Sequence, residues 1–237
     1  MTDTASFVFA LLLAGAAGLA MPLGAFVALK RDTIISARLR HGITAFGGGA
    51  LISAVALVLV PDGAAAVGGV AAVLCFLGGG VLFFGVDRAL ETNGGTGAQL
   101  LAMLLDYAPE AAALGAFLAV DFETSLLLAG LIFLQNLPEG YSAFNEISAA
   151  RKQPAARIVA LFAALALVGP GAAAIGVLYL SEMPAVLGGI MLAAAGGILY
   201  LVFQDIAPQA RTTDDWVPPL GAVAGFGLGL AGHLALG

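Results

Sequence analysis

Charge is scarce in this chain: only 10% of its 237 residues are Asp, Glu, Lys or Arg, against roughly a quarter in a soluble domain. With 61% apolar residues and a mean hydropathy of +1.03, it carries more hydrocarbon than a water-soluble fold of this size can bury. A soluble fold and intrinsic disorder are both excluded. Cysteine is nearly absent, with Cys75 alone, so no disulfide scaffold holds the chain together. Nine Lys and Arg stand against fifteen Asp and Glu, which removes a nucleic-acid binder. The sequence pI of about 4.7 adds little, because in a membrane protein the side on which each charge lies matters more than the sum.

What the sequence has in abundance is long apolar runs. A helical crossing needs roughly 20 such residues, and windows of that kind lie at 6–29, 43–60, 64–86, 97–119, 124–146, 157–180, 184–208 and 217–237. These spacings predict an all-α polytopic membrane protein with eight transmembrane helices in a single domain, 1–237. Every basic residue then falls in an odd-numbered connection: Lys30, Arg31, Arg38 and Arg40, then Arg88, then Arg151, Lys152 and Arg157, then Arg211. The even connections carry Asp62, Asp121, Glu123 and Glu182 instead. The positive-inside rule places the odd connections in the cytoplasm and both termini outside. Met1 to Ser6 contain Asp3 and no basic residue, so the first run reads as a retained helix and not as a secretory leader. Asn93 to Gly97 reads as the most flexible connection.

Two spans break the rule that lipid-embedded helices avoid charge. The fourth holds Asp106-Tyr107-Ala108-Pro109-Glu110 and the fifth Gln135-Asn136-Leu137-Pro138-Glu139-Gly140. In each, a polar residue lies four before a glutamate, on the same helix face, and a proline directly precedes the glutamate. Pro109 frees the carbonyl of Leu105, and Pro138 that of Leu134, which is expected to kink both helices and bare backbone oxygen. Both motifs lie about 13 residues from the turn near Asp121, roughly 20 Å along a helix, so they meet near the bilayer centre. An Asp at that depth costs roughly 2.5–3.5 kcal/mol on insertion scales. Neither span holds a Lys, Arg or His to compensate Asp106, Glu110 and Glu139. Protons or a shared multivalent cation are the physical options, and the converging carboxylates, amides and freed carbonyls favour the cation. The plainer alternative is protonated acids bonding across a helix pair as packing glue.

Other spans add weaker signals. Val168-Gly169-Pro170-Gly171 breaks the sixth span near its middle, with Gly169 and Pro170 offering backbone and no side-chain ligand. Asp205, in Gln204-Asp205-Ile206-Ala207-Pro208, sits toward the cytoplasmic mouth, either as a solvated helix-end residue or as a ligand on a release route. The second and seventh spans resemble each other when aligned on Pro61 and Pro208, a hint of an inverted repeat. Gly221, Gly225 and Gly229 form a small-residue stripe that serves either a homodimer or an internal contact. His41 and Trp216 read as interfacial residues, Cys75 as apolar packing, and Asp87-Arg88 as a helix-end pair.

At these residues the chain resembles the ZIP family of divalent metal transporters. That family carries His-Asn-x-Pro-Glu-Gly in its fourth helix and Gln-Asn/Asp-x-Pro-Glu-Gly in its fifth, around a metal centre halfway across eight helices. Gln135 to Gly140 matches the fifth-helix pattern throughout, and Ala194 to Gln209 is similar to the seventh-helix stretch, with Tyr200, Asp205 and Pro208 in place. The likeness covers most of the chain, the first and eighth helices by position only. Here Asp106 replaces the family's histidine, Tyr107 its asparagine and Ala111 its glycine, while Gly169 stands where many members have a glutamate that completes a second site.

The resemblance implies one metal site made of Asp106, Glu110, Gln135 and Glu139, with Tyr107, Asn136 and Asp205 secondary or along the pathway. A carboxylate in place of imidazole makes the ligand set all oxygen, shifting preference from zinc, which carboxylates also bind, toward manganese, iron(II), magnesium or calcium. The implied function is a divalent cation transporter moving its ion toward the cytoplasm, with the fourth and fifth helices shifting as an elevator. No resident cofactor and no enzymatic activity are expected, since no span carries His-Glu-x-x-His or a Ser and His pairing. The competing expectation is a transport-inactive relative that binds metal or protons for a structural or regulatory role. A bacterial inner membrane is the expected location.

Overall fold

In lipid each backbone amide needs a partner within its own segment, so a chain this apolar has helix as its way to span. The computed structural model describes residues 4–29, 36–92, 98–118, 121–151, 154–211 and 215–236, and among them all regular structure is helical. The helices, in chain order, form eight rods. The first is α1 (Thr4–Gly18) and α2 (Ala20–Leu29). The second is α3 (Ala37–Ala54), a π turn (Val55–Leu59) and α4 (Val60–Val67). The third is α5 (Gly69–Thr92), the fourth α6 (Ala98–Leu118) and the fifth α7 (Phe122–Arg151). The sixth joins α8 (Ala155–Ala166) to α9 (Val168–Leu178), the seventh joins α10 (Pro184–Leu201) through a π turn (Val202–Ile206) to α11 (Ala207–Ala210), and the eighth is α12 (Pro218–Leu236).

The rods fall on the eight expected windows, and among the described residues six are long and apolar enough to cross a membrane. The other two are α6 and α7, which carry the acids. The protein is therefore an integral, multi-pass membrane protein. Lys30, Arg31, Lys152 and the Asn93 to Gly97 connection lie outside the described residues.

Several helix ends extend beyond their windows, and one boundary moves a turn. Pro61 is expected to end the second rod, yet the helix continues to Val67 and turns at Gly68, whose φ of 83° suits a residue without Cβ. Asp62 is thus helical and not in a connection. The cause is the π turn: the Val60 amide reaches back five residues to the Val55 carbonyl, and the widened turn accommodates the proline ring that an α-helix would push against its fourth-preceding carbonyl. The seventh rod repeats the device, with Ala207 bonded to Val202 just ahead of Pro208. The resemblance of these two spans extends from their sequences to this shared irregularity.

Packing divides the rods into two sets. The first, fourth, fifth and sixth pack mainly on one another, as do the second, third, seventh and eighth; the second rod against the fifth, and the seventh against the fourth, join the sets. Within each set backbones approach so closely that a Cβ has no room. A methyl at Gly24 would strike the Leu137 carbonyl and one at Gly140 the Met21 carbonyl, so the first and fifth rods are seated by reciprocal glycines. Gly79 and Gly196 do the same for the third and seventh. The stripe of Gly221, Gly225 and Gly229 lies on Gly42, Phe46 and Ser53 of the second rod, which assigns it an internal contact.

Candidate functional site

The fourth and fifth rods form a hairpin pinned near its turn. Asp121 caps the fifth rod, its Oδ1 accepting from the amides of Glu123 and Thr124 at 3.1 and 3.2 Å and its Oδ2 from the Thr124 hydroxyl at 2.5 Å. Ser125 Oγ donates to the Leu114 carbonyl across the pair at 2.9 Å. From that hinge α6 and α7 run through Pro109 and Pro138 without a break in their helices.

The pairing brings the two motifs together. Asp106, Glu110, Gln135 and Asn136 are buried, the last three completely. Gln135 Nε2 donates to Glu110 Oε2, a direct link between the fourth and fifth rods. Asp106 lies within electrostatic range of both Glu110 and Glu139. Five oxygens of this group are buried without a hydrogen-bond partner: Asp106 Oδ1, Glu110 Oε1, Gln135 Oε1, Asn136 Oδ1 and Glu139 Oε2. Buried polar atoms are rarely left so, because each forfeits its hydration with nothing in return. Among the described residues, no three His, Cys, Asp or Glu side chains converge into a ready-made metal cluster. The Gln135 amide hydrogens occupy one Glu110 oxygen; rotation of that amide would exchange its donor for the unpartnered Oε1 and open the glutamate.

Tyr107 reaches the first and sixth rods. Its hydroxyl is fully buried and donates to the Ala14 carbonyl of the first rod at 2.6 Å, with the Ala166 carbonyl of the sixth at 3.4 Å. The Gly18 backbone meets the same oxygen. Both neighbouring rods are interrupted there, at Leu19 and Leu167. Pro170 supplies no amide to Ala166, so that carbonyl of the sixth rod is deprived of its helical partner. The ring also fills the space beside Gly169, where any Cβ would collide with the phenol oxygen. The sixth rod is interrupted at Leu167, just ahead of Gly169 and Pro170, which lie within the first turn of α9. Asn136 reaches the first rod as well, its Nδ2 3.4 Å from the Ala17 carbonyl.

A narrow cleft of about 30 Å³ leads from Glu139 to Asp205, lined also by Thr44, Ser142 and Gln209, with room for about two water molecules. Asp205 and Glu139 thus line the same cleft. Thr44 and Ser142 carry no signal in the sequence, as single hydroxyls in apolar spans are common. His41 Nδ1 is 2.7 Å from the Gln209 carbonyl, tying the second rod to the end of the seventh. Asp87 accepts from the Tyr200 hydroxyl at 2.7 Å, bridging the third and seventh rods. Compared with known proteins, the chain matches no family model and no curated relative.

Proposed function

We propose that the chain is a divalent metal cation transporter, carrying one ion at a time through the oxygen-rich site between α6 and α7. The observation that carries this reading is the set of five buried, unpartnered oxygens on Asp106, Glu110, Gln135, Asn136 and Glu139, in rods that hold no basic side chain at that depth. A cation that draws these side chains together satisfies several of the oxygens at once; a proton satisfies one carboxylate at a time. All eight rods cross the bilayer in this reading, with the basic connections cytoplasmic and both ends outside. The all-oxygen donor set suits manganese, iron(II) or magnesium, with zinc also within reach of carboxylates. The resemblance to the ZIP family points the same way, and a bacterial inner membrane is the proposed location.

The ion is admitted from the extracytoplasmic side and exchanges its water for Asp106, Glu110, Gln135 and Glu139. Release follows the cleft past Thr44, Ser142 and Asp205. The two packing sets supply the moving parts: the first, fourth, fifth and sixth rods as a carrier unit, and the second, third, seventh and eighth as its frame. This division supports the elevator that the resemblance implies. A second reading, a metal- or proton-binding protein without flux, is favoured by the Gln135–Glu110 contact, which holds the site closed without an ion.

Uptake of radioactive manganese into proteoliposomes tests the choice. Saturable flux in the native protein, lost in Glu139→Ala and Asp106→Ala, supports transport; metal binding without flux supports the second reading and ends the first.

A further inference from the structure

A groove of about 400 Å³ opens on the outer side of the second, seventh and eighth rods, at the end of the molecule that carries Arg38 and Arg211. Its floor is apolar, formed by Ile52, Val202, Ala207 and Ala222, and Arg211 and Trp216 stand at its mouth. The rim faces the surroundings: Phe203 is 68% and Trp216 90% exposed. Asp215 also lines the mouth, but Arg38 pairs with it at 2.7 Å, so the net charge left there by these three residues is that of Arg211. The π turn at Val202–Ile206 forms one wall, where the widened helix leaves the hollow.

An apolar trough with a cationic lip, set where a bilayer meets water, has the form of a phospholipid: acyl chain below, phosphate above. We infer that this groove binds an anionic phospholipid, its phosphate at Arg211 and an acyl chain along Ile52, Val202 and Phe203. A zwitterionic lipid fits the trough equally but brings its own cation to the lip, so the preference rests on Arg211. Gly48 and Ile206 line both this groove and the cleft below Glu139, so the bound chain packs against the outer wall of that cleft. Lipid binding itself stands independently of the transport reading.

Trp216 is the chain's single tryptophan, so its fluorescence reports from the mouth of the groove. The protein is reconstituted into phosphatidylcholine vesicles containing rising fractions of either brominated phosphatidylcholine or brominated phosphatidylglycerol, and quenching is measured. The expected result is an association constant for phosphatidylglycerol about fivefold above that for phosphatidylcholine, the effect of roughly one basic residue at an anionic surface, falling to near parity in Arg211→Gln. Ala207→Phe, which fills the trough, is expected to weaken quenching by both lipids. Equal quenching by the two lipids in the native protein overturns the inference, as does a preference unchanged in Arg211→Gln. Protection of Trp216 that grows with protein density overturns it too, by assigning the groove to a second copy of the chain.

Discussion

At residue 106 the choice of aspartate sets the chemistry proposed for the site. An imidazole there would add a nitrogen donor and remove a negative charge, so Asp106→His is expected to raise zinc in the metal ranking relative to manganese. Competition between the two ions for uptake reads this directly, and an unchanged ranking contradicts it. Tyr107 acts through its hydroxyl, which serves carbonyls of two interrupted rods. Tyr107→Phe keeps the ring and removes the donor, with an expected loss of about 1 kcal/mol of stability, seen as a lower thermal midpoint in detergent. Asp121 offers a test outside the membrane. The Thr124 hydroxyl, then the Thr124 and Glu123 amides, hold its carboxyl below the usual carboxylate range. A carboxyl depressed in the folded state stabilises fully above its unfolded value, near pH 4, and loses that contribution as the pH falls through the folded value. Asp121→Ala is thus expected to cost about 1 kcal/mol at neutral pH, with the gap to the native protein closing in acid.

The rods show what a single sequence reveals of helices and what it hides. Apolar windows and the placement of basic residues gave the succession of rods, because lipid imposes length and composition directly. Pro61 misled, since proline reads as a stop unless a π turn precedes it, and such a turn has no sequence signature of its own. The partners of the glycines were equally hidden: a stripe of small residues announces close packing but not against what. Gly47 carries an element-scale prediction, because a Cβ there would press into the ring of Pro138 on the fifth rod. Unlike the glycines seated within each set, it lies between the sets. Gly47→Leu is expected to reduce manganese flux at least tenfold through obstructed movement while the protein still binds the ion. Equal loss of binding and flux would show a damaged site instead.

Across the whole molecule, the candidate site was legible because it violates its surroundings: acids, amides and prolines cluster at the middle of two apolar spans. Tyr107 was not, because its partners, Ala14 and Ala166, lie 93 and 59 positions away in sequence, and only the fold joins them. Nor was the cleft to Asp205, which takes its walls from the second, fifth and seventh rods. Two packing sets meeting beside a row of unpartnered oxygens give the proposed transport its form. The most direct test is a structure determined at saturating manganese with anomalous diffraction. The expected result is one anomalous peak between α6 and α7, roughly 2.0–2.6 Å from oxygens of Asp106, Glu110, Gln135 and Glu139, with Gln135 turned to present Oε1. A site without that peak, its Gln135–Glu110 contact unchanged, would contradict the proposal.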